Sequence, residues 1–226
     1  MSRREGEAPA EPMLGVGLGR SLALPPPSAA NRPPILWSEP MAPESTTKAI
    51  TAEQFLETDW GDGIFELVRG EVVRMTPPRS EHGLICWTLS GLFWDYVRRA
   101  GLGYCFSNDA AIVTERNPDT VRGPDLCYYS EARWPRSEIG RTPLPPVAPD
   151  LAVEVASPGN RPGAMLRKVG EYLDAGVLLI WVVDPRSRTL TMYRPDAVAV
   201  VLREDQTIED LPELPGFHCA VADIFR

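Results

Sequence analysis

Two Pro-Asp dipeptides open two short apolar runs, Val121-Arg-Gly-Pro-Asp-Leu-Cys-Tyr-Tyr129 and Ala148-Pro-Asp-Leu-Ala-Val-Glu-Val-Ala-Ser-Pro158. Each run reads as a β-strand, so Asp125 and Asp150 stand where strands begin and Glu154 stands inside the second one. A carboxylate within Leu-Ala-Val-Glu-Val loses hydration on burial, and an uncompensated buried charge is costly or shifts its pKa. A cation, a hydrogen bond or a water-filled cleft must compensate it. Asp125 and Glu154 are therefore a candidate divalent-metal site, whereas Asp150 is most simply a turn residue.

The elements that must position these acids follow from local pattern. Thr51-Ala-Glu-Gln-Phe-Leu-Glu57 reads as a short helix with Thr51 as N-cap and Gln54 completing a capping box. Ile64 to Met75 reads as a hairpin turning at Arg69-Gly70, in which Glu66 has Arg69 and Arg74 as nearby partners. Ser80 is the expected cap of a long helix from about Glu81 to Ala100, with Ile85, Leu89, Leu92, Phe93 and Tyr96 on its buried face and Gly101 ending it. Strands are expected over Tyr104–Thr114, Pro124–Tyr129, Leu151–Ala156 and Leu178–Val183, then Thr189–Tyr193 and Val198–Leu202, before a closing segment after Gln206.

Residues 130–149 read as a loop whose arginines, Arg133, Arg136 and Arg141, are by default solvent-exposed. Pro158-Gly159 breaks the strand that carries Glu154, and a helix follows from about Gly163 to Asp174. Its apolar side is Met165, Val169, Tyr172 and Leu173. Lys168 lies about 100 degrees from the centre of that side, so its ammonium borders the buried face and can reach a cleft.

At 226 residues the chain suits one ordinary domain with a tail. Residues 1–45 hold 9 of the 24 prolines and are expected to form a disordered extension, leaving 46–226 as the domain. Met41, just before the first periodic segment, is a candidate natural start. A net charge of -8 argues against coating nucleic acid through bulk positive charge, but not against a local basic cleft. The four cysteines form no CxxC pair, which with two histidines disfavours a structural zinc site and suits a reducing cytosol. No stretch suggests a membrane span, and the expected location is cytoplasmic.

Several pieces in fixed order carry a resemblance: Phe65-Glu-Leu-Val-Arg-Gly-Glu71, His82, Pro124-Asp125, Pro149-Asp-Leu-Ala-Val-Glu-Val-Ala-Ser-Pro158, Lys168, Tyr172, Ala175-Gly-Val177 and Trp181-Val-Val-Asp-Pro185. Over about Thr51 to Tyr193 the chain resembles the Uma-two family of restriction-endonuclease-like proteins, assigned to the PD-(D/E)xK nuclease superfamily. The resemblance implies an α/β fold with a restriction-endonuclease-like mixed β-sheet flanked by helices. It implies Asp125 and Glu154 as metal ligands, Glu66 as a further acid and Lys168 as the catalytic lysine, with His82 either a substrate contact or a structural residue that caps the site. In the superfamily pattern the lysine stands two positions after the strand acid, where this chain has Ala156. The family takes it from the following helix instead. A second departure is Ala164, where many relatives carry an acid.

The expected activity is DNA phosphodiester hydrolysis with Mg2+, Mn2+ being the alternative ion, and a homodimer would let two sites cut both strands. The competing reading is a non-catalytic nucleic-acid-binding or regulatory protein that retains the nuclease fold. A third class is an interaction protein whose Pro-rich amino terminus docks a partner.

Overall fold

The computed structural model describes residues 49–157 and 162–226. The extension expected over 1–45, the start at Met41 and the strand break at Pro158-Gly159 lie outside them. The first described element is α1 (Ala52–Glu57), held by the expected capping box: Thr51 Oγ1 accepts from the Gln54 N–H while Gln54 Oε1 accepts from the Thr51 N–H. β1 (Phe65–Val68) and β2 (Glu71–Arg74) form the hairpin, with Arg69 and Gly70 at φ 51° and 79° as a two-residue turn. A Cβ on Gly70 would lie 2.5 Å from that of Ala49, so the close approach of the preceding chain also requires glycine.

α2 (Ser80–Ala100) begins one residue earlier than expected. Arg79 is the cap and makes no side-chain capping bond; Ser80 is already helical and therefore not placed to cap it. Gly101 ends the helix in the left-handed conformation, φ 65°, its N–H donating to Val97 O. Beyond it, the single strand expected over Tyr104–Thr114 is two, β3 (Gly103–Ser107) and β4 (Ile112–Glu115). Asn108 and Asp109, with φ 64° and 56°, turn the chain between them. The run from Val121 to Tyr129, read as one strand, is likewise two: β5 (Thr120–Arg122), which pairs with β4, and β6 (Leu126–Ser130), which joins the other sheet.

After a long loop come β7 (Leu151–Val155), α3 (Pro162–Asp174), β8 (Leu179–Asp184), β9 (Thr189–Tyr193) and β10 (Val200–Arg203). β11 (Thr207–Ile208) and β12 (Cys219–Ala220) form a small ladder, and α4 (Val221–Ile224) closes the domain.

The fold is mixed α/β. The larger sheet runs β10-β9-β8-β7-β6-β3, with β7 and β8 parallel and the other neighbours antiparallel. All five residues of β7 are buried, so the strand that carries Glu154 is a central one. Side-chain alternation divides the core. Val153 and Val155 pack with Ile85, Leu89 and Phe93 of α2 on one face, while Ala152 packs with Val169 and Tyr172 of α3 on the other. A smaller sheet, β2-β1-β5-β4, packs with α1 around Leu67 and Val121. Among the described residues no helix is long and apolar enough to cross a membrane.

Candidate active site

The antiparallel ladder of β6 and β7 ends with Leu126 opposite Val153, so Asp125, the residue just before β6, stands at the end of the ladder beside the strand that carries Glu154. Asp125 is held in place twice. Its Oδ2 accepts the Val155 N–H at 2.7 Å, and its Oδ1 lies 3.1 Å from His82 Nε2, delivered by the first turn of α2.

Glu154, on the α3 side of the sheet, is 5 % exposed. Its Oε1 receives the Tyr172 hydroxyl at 2.7 Å and the Lys168 ammonium at 2.8 Å, one helical turn apart on α3. The same ammonium lies 3.0 Å from Glu66 Oε1, so the two carboxylates that share it are no more than about 6 Å apart. Lys168, placed by helical periodicity at the border of the buried face, reaches inward.

Glu66 does not use Arg69 or Arg74. Strand alternation puts it on the opposite face of the hairpin from Arg74, which stands across from Phe65 and lies over its ring. Its second partner is Arg122 on β5, whose Nη1 donates to Glu66 Oε2 at 2.7 Å. The rest of that guanidinium grips Glu171 of α3 with two bonds of 2.6 and 2.9 Å. Arg122 thus ties the hairpin acid to the helix that supplies the lysine, through a bidentate fork that only arginine offers.

Glu66, His82, Asp125, Glu154 and Lys168 all line one cleft of about 360 Å3, together with Asp109 from the turn between β3 and β4. The backbone approaches closely here: a Cβ on Gly123 would come within 2.8 Å of the Asp109 side chain. Four carboxylates therefore share this cluster with the Lys168 ammonium, the Arg122 guanidinium on Glu66 and the His82 ring on Asp125. Burial raises Glu154 from 4.5 to about 7 against the pull of Lys168, with Asp125 adding to the rise. Burial and then Asp125 also raise Asp109. In Glu66, burial is outweighed by Lys168 and Arg122, which hold it below the usual range.

Lys168 itself is raised, the two glutamates overcoming its burial, so it stays charged. Burial and then Glu154 push Tyr172 far up, making it a hydroxyl donor throughout the physiological range. The hydrogen bond that the His82 ring donates to Asp125 raises His82. Two acids that resist ionisation beside a surplus of carboxylates mark a place where a further cation fits.

Arg122, Asp109 and the Tyr172 hydroxyl are parts of this cluster that sequence reasoning did not assign. Asn108-Asp109 is a turn dipeptide whose signal was available, but an arginine ahead of Gly-Pro-Asp carries none. Arg133 is taken up by structure, its guanidinium donating to Ala148 O and Gly176 O. Asp150 accepts the Ser130 N–H, as befits a strand-start residue.

Residues 52–222 match the family Uma2, described as "Putative restriction endonuclease". Solved structures include a "putative nuclease belonging to DUF820" from Anabaena variabilis, which is 22% identical and superposes with a TM-score of 0.67 over 78% of this chain and 97% of that one. At that identity the likeness speaks for the fold. No curated protein matches the chain.

Proposed function

Since the chain belongs to the Uma2 family of restriction-endonuclease-like proteins, we propose that it is a divalent-metal-dependent endonuclease that hydrolyses DNA phosphodiester bonds in the cleft lined by Glu66, His82, Asp125, Glu154 and Lys168. One observation carries the reading: the Lys168 ammonium lies 2.8 Å from Glu154 and 3.0 Å from Glu66 in a cleft that also holds Asp125. Ala156 leaves the usual lysine position empty of charge, and Lys168 fills the role from α3.

The donor set fits a hard ion. Asp125, Glu154 and Glu66 offer carboxylate oxygens, and the contacts to Glu154 converge on Oε1, leaving Oε2 to coordinate. Asp125 and Glu154 would hold Mg2+, or Mn2+ in its place, with Glu66 alongside. When bound, such an ion polarises the scissile phosphate and acidifies a water. The protein's own groups do the remainder. Lys168, permanently charged, stabilises the negative charge that grows on the phosphate and orients the attacking water. Tyr172 fixes the rotamer of Glu154, Arg122 that of Glu66, and the Val155 N–H with His82 that of Asp125. Such fixing keeps the ligands from reorganising during the reaction.

The test is nicking of supercoiled plasmid DNA with Mg2+ or Mn2+. The unmodified chain is expected to cut, EDTA to stop it, and Asp125→Asn to lose at least a thousandfold of rate with the fold retained, on the order of what a ligand contributes. A well-folded parent that binds DNA and never cuts it would overturn the proposal in favour of the non-catalytic reading.

A further inference from the structure

A second arrangement of ligands shares Asp125 with the hydrolytic cleft but not its chemistry. His82 and Cys86 are four residues apart on α2, and one helical turn brings them onto the same face, with Cys86 Sγ 3.5 Å from His82 Nδ1. Asp125 arrives from the start of β6 on the other edge of the ring, 3.1 Å from Nε2. One ligand atom from each of the three residues lies within 4.8 Å of the other two, and among the described residues this is the one such group of three. A tetrahedral ion with bonds of about 2.0 to 2.3 Å holds its ligand atoms roughly 3.3 to 3.8 Å apart, so about an ångström of side-chain movement closes the shell.

We propose that His82, Cys86 and Asp125 form a binding site for a thiophilic transition-metal ion, Zn2+ above all. The mixed nitrogen, sulfur and oxygen donors suit Zn2+ and not Mg2+, which takes oxygen ligands. The ion engages one nitrogen of the imidazole, so its arrival replaces the present hydrogen bonds of the ring. Burial pushes the Cys86 thiol up to about 12, so the residue carries its proton until a thiophilic ion displaces that proton to solvent. Three protein ligands leave a fourth position for water in the cleft that Cys86 also lines. Cys105, Cys127 and Cys219 take no part in the group. Because Asp125 belongs to both arrangements, Zn2+ removes a ligand from the hydrolytic centre and antagonises Mg2+-supported cleavage. This consequence rests on the proposed nuclease function, while the site itself does not.

The experiment titrates the metal-free full chain with Co2+ and follows the thiolate-to-cobalt charge-transfer absorption in the near ultraviolet. One equivalent is expected to bind, Zn2+ to displace it, and Cys86→Ala, checked for fold by circular dichroism, to lose the band and weaken Zn2+ binding at least tenfold. No band in the parent, or an undiminished band in Cys86→Ala, overturns the site. In plasmid nicking with Mg2+, Zn2+ is expected to inhibit the parent at concentrations at least tenfold lower than Cys86→Ala. Equal sensitivity overturns the antagonism. A chain that binds Co2+ through Cys86 yet cuts nothing refutes the nuclease reading and leaves the metal site standing.

Discussion

Replacing Glu154 by glutamine separates stability from function. Glutamine keeps the shape and an acceptor for Tyr172 and Lys168, but removes the buried charge. Glu154 is held at about 7 instead of 4.5, chiefly by burial. A folded-state value above the unfolded one means that stability present below 4.5 is lost as pH rises through about 7. The gap corresponds to about 3 kcal/mol of destabilisation at pH 8. Glu154→Gln is therefore expected to be more stable than the parent by about 2 to 3 kcal/mol at pH 8 in EDTA, and nearly equal to it at pH 4.5.

Urea unfolding at both pH values measures this directly. Adding Mg2+ closes the gap: at a hundredfold excess over its dissociation constant it stabilises the parent by about 2.7 kcal/mol and leaves the variant unmoved. Plasmid nicking by the variant falls away. A variant less stable than the parent at pH 8 would refute the reasoning, since the carboxylate would then be satisfied without any further cation.

Arg122→Ala leaves Glu66 and Glu171 without their shared guanidinium and is expected to cost about 3 to 5 kcal/mol in urea unfolding, with Arg122→Lys recovering only part because it cannot form the fork. His82 is raised above 6.5 by Asp125, so its contribution is fully present below 6.5 and lost as pH rises through the raised value. His82→Ala should accordingly cost about 1 kcal/mol more at pH 6 than at pH 9 by the same measurement.

The acids at Asp125 and Glu154 were legible because one opens an apolar strand and the other interrupts one, and a strand's period assigns Glu154 to one face without knowing its neighbours. Lys168 was legible from helical spacing for a similar reason. What adjoins them was not. Glu66 had arginines close by in the chain, yet the hairpin's alternation turns it away from Arg74 and toward Lys168, 102 positions later. Arg122 sits in a three-residue strand too short for any periodic signal, and its partners come from β1 and α3. The Ser80 cap failed because the helix starts one residue earlier, at a boundary that local propensity defines poorly. The strand expected over Tyr104–Thr114 failed where the Asn108-Asp109 turn was passed over in favour of the apolar residues around it.

The central claim is that the carboxylates around Lys168 hold an ion on which hydrolysis depends. Bound Mn2+ counted by electron paramagnetic resonance, alongside plasmid nicking in the same samples, tests it most directly. The account predicts that cutting rises in step with occupancy in the parent, and that both collapse together when Asp125 and Glu154 are replaced by Asn and Gln. Cutting that persists in EDTA, or Mn2+ binding that survives the double replacement undiminished, would contradict it.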